Sequence, residues 1–159
     1  RSWLNDPETT RFLETGRVPT TAEALGKAFA RLATDPHTAF FAIVDRARHQ
    51  HIGNIKLGPI HPIHRYASLG ILIGELRSRR RGYGLEAVEL AVRYGFQQLN
   101  LHKITVGMYA NHHASVRLFE KAGFTNEGRL QEHLFRDGTY HDKSLMGLLR
   151  GVWLRRSKS

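Results

Sequence analysis

Four arginines and two glycines lie within a short segment from Arg77 to Gly84. An apolar run over 69–74 precedes this segment, and apolar residues recur at helical spacing from Leu85 to Leu99. The first amides of a helix have no acceptor inside the helix, and the helix dipole adds partial positive charge there. A glycine has no Cβ, so an anion can approach its backbone closely. The pattern therefore predicts a phosphate-binding loop between a strand and a helix.

The same loop fits a second phosphate-binding pattern, because residues Gly82 to Ala87 match the G-x-G-x-x-A fingerprint of dinucleotide-binding proteins. The dinucleotide-binding fold needs an acidic residue at the end of the next strand to hold a ribose. Here that strand ends in Tyr109-Ala110-Asn111, which contains no acidic residue. A P-loop is excluded because no G-x-x-x-x-G-K-S/T run occurs in the chain. The dinucleotide interpretation is therefore the weaker one.

The elements that must position this loop follow from periodicity and from helix and turn signals. In chain order they are helices over 6–16 and 20–35, strands over 39–44, 51–57 and 66–74, a helix over 85–99, a strand over 103–109, a helix over 111–122 capped by Asn111, and strands over 127–136 and 139–149. Three successive strands with short links predict an antiparallel meander.

The later elements predict a different connection. A helix between two strands predicts a right-handed crossover, which places strand 103–109 beside strand 66–74 and parallel to it. Asp137-Gly138 predicts a closing hairpin. We therefore expect one mixed α/β domain over residues 1–149 and a mobile basic tail over 150–159.

The chain is strongly basic, with a formal net charge of +10 at pH 7. This balance favours anionic partners such as nucleotides, nucleic acid or acidic lipids, although a basic surface can also serve solubility alone. No apolar run approaches the roughly 20 residues that span a membrane, and no leader pattern opens the chain. The chain has no cysteine, which excludes disulfides and thiolate sites. We expect a cytoplasmic protein with no membrane contact.

Two motifs carry a resemblance to a known family. Arg79 to Gly84 fits the pattern Q/R-x-x-G-x-G/A, and the segment from Asn111 to Phe124 resembles a family segment that ends in Glu-Lys-x-Gly-Phe. With the order of elements, these motifs resemble the GNAT superfamily of acyl-CoA N-acyltransferases, in particular ribosomal-protein N-terminal and amino-sugar acetyltransferases. The chain departs from the family at Arg80, where glycine is common, and at Leu85, where threonine is common.

The resemblance covers residues 7–149 and implies a GNAT-like fold. The family's first strand is not found before the first helix, so we expect either a truncated N-terminus or a replaced strand. The resemblance also implies acetyl-CoA as co-substrate, with its pantetheine arm between two strands that separate. Its pyrophosphate would lie at the phosphate-binding loop 79–84, called here the glycine loop. The residues that the resemblance assigns to the cofactor are Leu72, Ile73, Gly74, Arg79, Arg80, Arg81, Gly82, Tyr83, Gly84, Leu85, Asn111, Phe119 and Lys121.

The implied reaction is direct transfer of an acyl group from a thioester to an amine. An amine is protonated at pH 7, so a base must remove a proton, and the departing thiolate gains from a proton donor. Many relatives use a tyrosine where this chain has Phe119, which has no hydroxyl. Ser115 is the predicted donor, with an exposed helix residue as the alternative. Glu75 and His133 are the predicted bases, and each could instead be a surface or packing residue.

Two histidines in the loop His61-Pro62-Ile63-His64 raise the question of a metal site. No carboxylate lies nearby in sequence and the chain has no cysteine, so we expect no metal. We expect this loop to line the acceptor pocket instead. His112 and His113 are expected to face solvent at a helix start.

The leading hypothesis is an N-acetyltransferase that moves an acetyl group from acetyl-CoA to a primary amine. An amino-sugar nucleotide, a protein N-terminus or a small amine would serve as acceptor. The basic charge favours a phosphorylated acceptor, because a polyamine would prefer an acidic pocket. One alternative is a GNAT-like protein that binds acyl-CoA without turnover. A nucleic-acid-binding module is less favoured, because no helix shows a basic face with interleaved aromatic residues. A homodimer is left open.

Overall fold

The computed structural model describes residues 2–14 and 20–158. Its helices are α1 (Pro7–Thr10), α2 (Ala22–Thr34), α3 (Tyr83–Gln97), α4 (His113–Lys121) and α5 (Arg150–Arg156). Its strands are β1 (Ala39–Asp45), β2 (Gln50–His61), β3 (Tyr66–Ile73), β4 (Lys103–Tyr109), β5 (Thr125–Arg136) and β6 (Thr139–Leu149). Two short 3-10 turns, Trp3–Asn5 and Leu76–Ser78, precede α1 and α3.

The strands form one sheet in the order β1-β2-β3-β4-β6-β5. The first three strands pair antiparallel in sequence order, and β6 pairs antiparallel with both β4 and β5. β3 and β4 are parallel, joined by the crossover through α3. The predicted meander, crossover and closing hairpin are therefore confirmed.

The parallel pair in the middle of this sheet is incomplete. β3 and β4 pair through Tyr66 with Lys103, Ala67 with Ile104, and Ser68 with Thr105. Beyond these pairs β3 continues to Ile73 and β4 to Tyr109 without further pairing between them. The two strands thus separate toward their carboxyl ends and leave a gap in the sheet, called here the β3–β4 gap.

One face of the sheet is covered by α3 and α4. The buried side of α3 consists of Ala87, Val88, Ala91, Val92, Gly95 and Phe96. Packing is closest at Gly95, where a Cβ would lie 3.0 Å from Ile104 Cδ1 and 3.1 Å from Leu101 Cδ1. This contact seats α3 directly on β4, so the start of the helix lies beside the gap.

The N-terminal segment 2–14 lies against the carboxyl ends of the strands beside the gap. The indole of Trp3 lies so close to Gly74 that a Cβ on that glycine would clash with it. The ring of Phe12 lies 5.9 Å from the ring of Tyr109 at the end of β4. Glu14 pairs with Lys143 of β6 at 2.6 Å. The segment therefore touches the ends of β3 and β4 and the neighbouring strand β6.

Two helix boundaries differ from the predictions. The first helix begins after Asp6, whose carboxylate caps it as predicted, but it ends at Thr10; the predicted end near Gly16 falls outside the described residues. The predicted cap at Asn111 is wrong, because α4 begins at His113 with His112 as its N-cap. The His112 amide donates to the Tyr109 carbonyl, so a turn occupies Asn111.

The end of the chain also differs from the prediction. Residues 150–156, expected to be a mobile tail, form α5. Trp153 packs on Phe96 of α3 with ring centroids 5.4 Å apart, and Arg156 donates to the Lys121 carbonyl at the end of α4. These contacts join α5 to both helices. None of the helices in the described ranges is long and apolar enough to cross a membrane.

Candidate active site

The glycine loop begins α3 with free backbone donors. Gly82 is the N-cap with φ of 88°, and no side chain caps the helix. The first helical hydrogen bond runs from the Glu86 amide to the Gly82 carbonyl. The amides of 83–85 therefore precede the first amide that donates within the helix, so no helical carbonyl accepts from them. The geometry fits the anion site that the sequence predicts.

A buried carboxylate holds this loop from the side of β1. The Tyr83 hydroxyl donates to Asp45 Oδ2 at 2.8 Å, and Asp45 also accepts from the amides of Ala47 and Arg48. The hydrogen bond from Tyr83 holds the pKa of Asp45 below its ordinary value. Asp45 was missed in the sequence because it reads as an ordinary strand-end residue, 38 positions before its partner.

The start of α3 lies close to the β3–β4 gap. A Cβ built at Gly84 would be 3.7 Å from Leu118 of α4 and 4.0 Å from Ile73 of β3. The glycine loop, the end of β3 and α4 therefore meet at one place.

The arginines of the loop are not equivalent. Arg79 turns inward, where Nε donates to the Ile73 carbonyl at 3.0 Å and Nη2 donates to Thr9 Oγ1 at 3.0 Å. Arg80 and Arg81 are exposed. Arg79 thus ties the end of β3 to α1, while the other two present their charges on the surface. The Ile73 carbonyl, one of the backbone groups that the family resemblance offers to the pantetheine arm, already accepts this hydrogen bond.

An aromatic cluster lies on the β4 side of the gap, at the carboxyl end of that strand. The rings of Phe12 and His112 stack at 4.0 Å, and Phe12 meets the edge of Tyr109. Two guanidinium groups lie over the Phe12 ring, Arg11 at 5.3 Å and Arg136 at 5.6 Å. The expectation that His112 faces solvent is wrong, because the tertiary fold brings Phe12 onto its ring and leaves it half-buried.

Two polar groups in this cluster stand out. Burial lowers the pKa of His112 below 6.5, and the charges of Arg79 and Arg11 lower it further. The Tyr109 hydroxyl is buried and has no hydrogen-bond partner in the described part of the chain. Such orphaned hydroxyls are uncommon in folded proteins. The sequence offered only a weak signal for them, a polar end to an apolar strand.

The predicted residues of α4 are spread along the helix. Ser115 is half-buried in the first turn, and its amide donates to the His112 carbonyl. Phe119 is buried in the apolar core against Phe124, with ring centroids 5.2 Å apart. Lys121 is exposed at the far end. Asn111 is exposed in the turn before the helix.

The two predicted bases, Glu75 and His133, lie on opposite sides of the gap. The carboxylate of Glu75 accepts from the Arg77 amide at 3.4 Å and faces Gln50 Nε2 at 3.5 Å, so it caps the turn before α3. His133 is exposed on β5, the strand outside β6. Two strands, β4 and β6, thus separate His133 from β3, on the other side of the gap.

The histidine loop between β2 and β3 lies away from this site. His61 and His64 stack at 4.4 Å beside Tyr66, the first residue of β3. The gap opens at the other end of β3, so this loop lies away from the gap, and its place in an acceptor pocket stays a prediction. In ranges 2–14 and 20–158, no group of three or more His, Cys, Asp or Glu could hold a metal ion.

Comparison with known proteins decides the family. The profile described as "Acetyltransferase (GNAT) domain" matches residues 1–125. The chain belongs to the GNAT acetyltransferase family. The resemblance drawn from the glycine loop and the α4 segment is thereby confirmed. The reaction class of this GNAT family is acyl transfer, with acetyl-CoA as co-substrate.

Several N-acetyltransferases are similar to this GNAT chain. Spermidine N(1)-acetyltransferase of Vibrio cholerae is 34% identical over 116 residues, which is 73% of this chain and 66% of the relative. The Escherichia coli K12 enzyme of the same name is 29% identical over 67% of this chain and 57% of its own length. The alignments thus span less than two thirds of both relatives. An uncharacterized N-acetyltransferase of Bacillus subtilis is 28% identical over 92% of this chain and 84% of its own.

A solved structure extends the likeness to three dimensions. The crystal structure of spermidine N-acetyltransferase from Vibrio cholerae in complex with CoA and spermine matches with a TM-score of 0.89 at 27% identity. The match covers 96% of this GNAT chain and 89% of that one. The fold class predicted from the sequence is therefore confirmed.

Proposed function

We propose that this protein transfers an acetyl group from acetyl-CoA to a primary amine. The observation that carries the proposal is the β3–β4 gap, which opens beside the free amides of 83–85. An extended, amide-bearing arm can lie along a strand edge that has lost its partner, and a pyrophosphate suits a helix N-terminus. The family match supports the same arrangement.

The cofactor is proposed to lie along the gap with its phosphates at the glycine loop. Backbone groups of 72–74 contact the pantetheine arm from the β3 side, except the Ile73 carbonyl and the Gly74 amide, which are already hydrogen-bonded to Arg79 and Ile52. Asn111 contacts the arm from the β4 side. The amides of 81–85 hold the pyrophosphate, with the exposed charges of Arg80 and Arg81 around it. Arg79 has a structural role instead, because its hydrogen bonds to Ile73 and Thr9 hold the end of β3 against α1 beside the arm.

The chemistry follows from this placement. The amine nitrogen attacks the thioester carbonyl carbon, the C–N bond forms, and the C–S bond breaks with its electron pair on sulfur. The amine must lose a proton before attack, and the thiolate leaves more readily when it is protonated. The open end of the gap, at the cluster around Phe12, is where these transfers are proposed to occur.

A polyamine is the first acceptor to consider. The Vibrio cholerae and Escherichia coli relatives are spermidine N-acetyltransferases, and the matching crystal structure contains CoA and spermine. A polyamine carries several ammonium groups, so a site that selects it would present carboxylates to the groups that do not react.

An amine that carries an anionic group is the second candidate, and one observation favours it. Arg11, Arg79 and Arg136 surround the cluster at the end of the gap. Three acids of the same region are already in ion pairs: Glu14 with Lys143, Asp142 with Arg129, and Asp137 with Arg136 itself. The local charge therefore favours a carboxylate or phosphate on the acceptor, such as an amino-sugar nucleotide.

Thiol release from acetyl-CoA, followed with a panel of amines, tests both candidates. Spermidine, an amino-sugar nucleotide and a peptide with a free N-terminus are compared at equal concentration. The proposal expects release well above the rate without amine for at least one of them. CoA binding by calorimetry without release by any member would instead support the non-catalytic acyl-CoA binder.

Arg136→Ala separates the two acceptor classes. If an anionic amine is the acceptor, this change lowers kcat/KM for it roughly tenfold, because a charge-assisted contact is lost. If a polyamine is the acceptor, removal of the positive charge leaves its kcat/KM unchanged or raises it. Arg93→Ala, on the exposed side of α3, is the matched control and leaves both values unchanged.

A further inference from the structure

His112 occupies the place where the β3–β4 gap meets α4. It is the N-cap of α4, but its side chain makes no capping hydrogen bond. Its ring is half-buried beneath Phe12, and neither ring nitrogen has a hydrogen-bond partner in the described ranges. An imidazole with a covered face and two free nitrogens is positioned to exchange protons with a bound molecule.

Burial and the charges around His112 lower its pKa and so favour the neutral imidazole. Arg79 faces it from the loop after β3, Arg11 from the end of α1, and His113 from its own helix. Arg136 lies on the Phe12 ring that covers it. Burial is the largest cause of the lowered pKa, and these charges act in the same direction. A neutral imidazole can accept a proton from an ammonium group.

Tyr109 brings a second proton-bearing group to the same cluster. It is the last residue of β4, beyond the point where β3 and β4 separate, and only 1% of its surface is exposed. Its hydroxyl lacks a partner, although Phe12 and His141 pack around the ring. A buried hydroxyl without a partner is costly, so a bound group that completes its hydrogen bonding would be favoured.

We propose that His112 takes the proton from the acceptor ammonium and that the Tyr109 hydroxyl protonates the departing thiolate. The proposal rests on the acetyltransferase function proposed above. It supplies a proton donor in place of Phe119, which has no hydroxyl and is buried in the core, and it adds a base.

The proton count balances. His112 receives one proton from R–NH₃⁺ and later releases it to solvent. The free amine attacks the thioester carbon, and the C–S bond breaks with its electron pair on sulfur. Tyr109 gives its proton to that sulfur and regains one from the nitrogen, which becomes the amide. The products are the N-acetylated amine, CoA thiol and one proton.

Replacement of His112 tests its role as base through the pH dependence of kcat, which a purely structural role would not change. His112→Gln is expected to lower kcat about 100-fold at pH 7 while the KM for acetyl-CoA stays within about twofold. The difference in kcat between the variant and wild type becomes smaller toward pH 10, because the amine then loses its proton to solvent without a protein base. His113→Gln, the exposed neighbour, is the matched control and stays within about twofold of wild type.

The pH profile decides the outcome for His112. A loss that is equal at all pH values, or a rise in the KM for acetyl-CoA, would assign His112 to positioning and overturn its role as base. Wild-type rates in the variant would overturn the role as well.

Tyr109→Phe tests the donor independently. Because the hydroxyl has no partner, the variant is expected to melt at the same temperature as wild type or higher. Its kcat is expected to fall at least about tenfold with an unchanged KM for acetyl-CoA. A lower melting temperature with a normal kcat would overturn the role as donor.

The experiments distinguish an error in this assignment of residues from an error in the proposed acetyltransferase function. A wild-type protein that acetylates an amine, with both variants equally active, contradicts only the assignment of His112 and Tyr109. A wild-type protein that releases no thiol with any amine contradicts the function and this inference together.

Discussion

The Tyr83 hydroxyl donates a 2.8 Å hydrogen bond to Asp45, which joins the first turn of α3 to the end of β1. Asp45 is almost fully buried, with 3% of its surface exposed. Tyr83 belongs to the loop that is proposed to hold the pyrophosphate of CoA. The hydrogen bond therefore fixes a proposed binding element to a strand at the edge of the sheet.

Tyr83→Phe removes this hydrogen bond and leaves a buried carboxylate with fewer donors. We expect a lower urea midpoint and weaker CoA binding, because the start of α3 loses its anchor. Unfolding followed by circular dichroism and calorimetry with CoA measure the two effects. Tyr94→Phe in the same helix is the control, and equal losses in both variants would contradict the specific role of Tyr83.

The same pair makes stability depend on pH. The hydrogen bond from Tyr83 lowers the pKa of Asp45 below 3.8 in the folded protein. The folded state then binds this proton less tightly than the unfolded chain, so the stabilisation is fully present above the unfolded pKa. It is lost as the pH falls through the folded pKa. The urea midpoints of wild type and Tyr83→Phe should differ most above the ordinary pKa of a carboxylate and converge as the pH falls through the folded pKa of Asp45.

Arg80 has a left-handed backbone conformation with φ of 58°. This conformation costs a non-glycine residue about 1 kcal/mol or more, which gives a physical reason for the glycine common in relatives. We expect Arg80→Gly to be more stable than Arg80→Ala by about 1 kcal/mol. Both variants lose the same charge, so CoA affinity should fall equally in both. Equal stability would contradict the strain argument.

Replacement of Gly84 by alanine should raise stability and weaken the binding of CoA. Alanine fits there, because its Cβ would be 3.7 Å from Leu118, and a helical Gly→Ala change stabilises by roughly 0.5–1 kcal/mol. The methyl group would nevertheless obstruct a phosphate at the amides of 83–85. We expect Gly84→Ala to melt higher and to bind CoA more weakly.

Gly26→Ala in α2 is the matched control for Gly84. A Cβ at Gly26 would meet nothing within 4 Å, so this change should raise stability without altering CoA affinity. Undiminished CoA affinity in Gly84→Ala would contradict the proposed approach of the phosphate.

Local pattern was sufficient for most of the fold. The antiparallel meander, the crossover through α3 and the hairpin at Asp137-Gly138 follow from period, turn residues and handedness, which are properties of neighbouring residues. The prediction of a mobile tail over 150–156 was wrong because α5 depends on a distant contact, Trp153 on Phe96.

The sequence by itself determined the family and the glycine loop, because a helix start with two glycines is encoded within a few adjacent residues. The tertiary structure decided the surroundings of that loop. Asp45 accepts from Tyr83, 38 residues later, and Phe12 stacks on His112, which is far away in sequence. No local pattern encodes such contacts, because they exist only when separate elements are packed together. The two histidines 112 and 113 are alike in sequence, and only packing made one of them a candidate for chemistry.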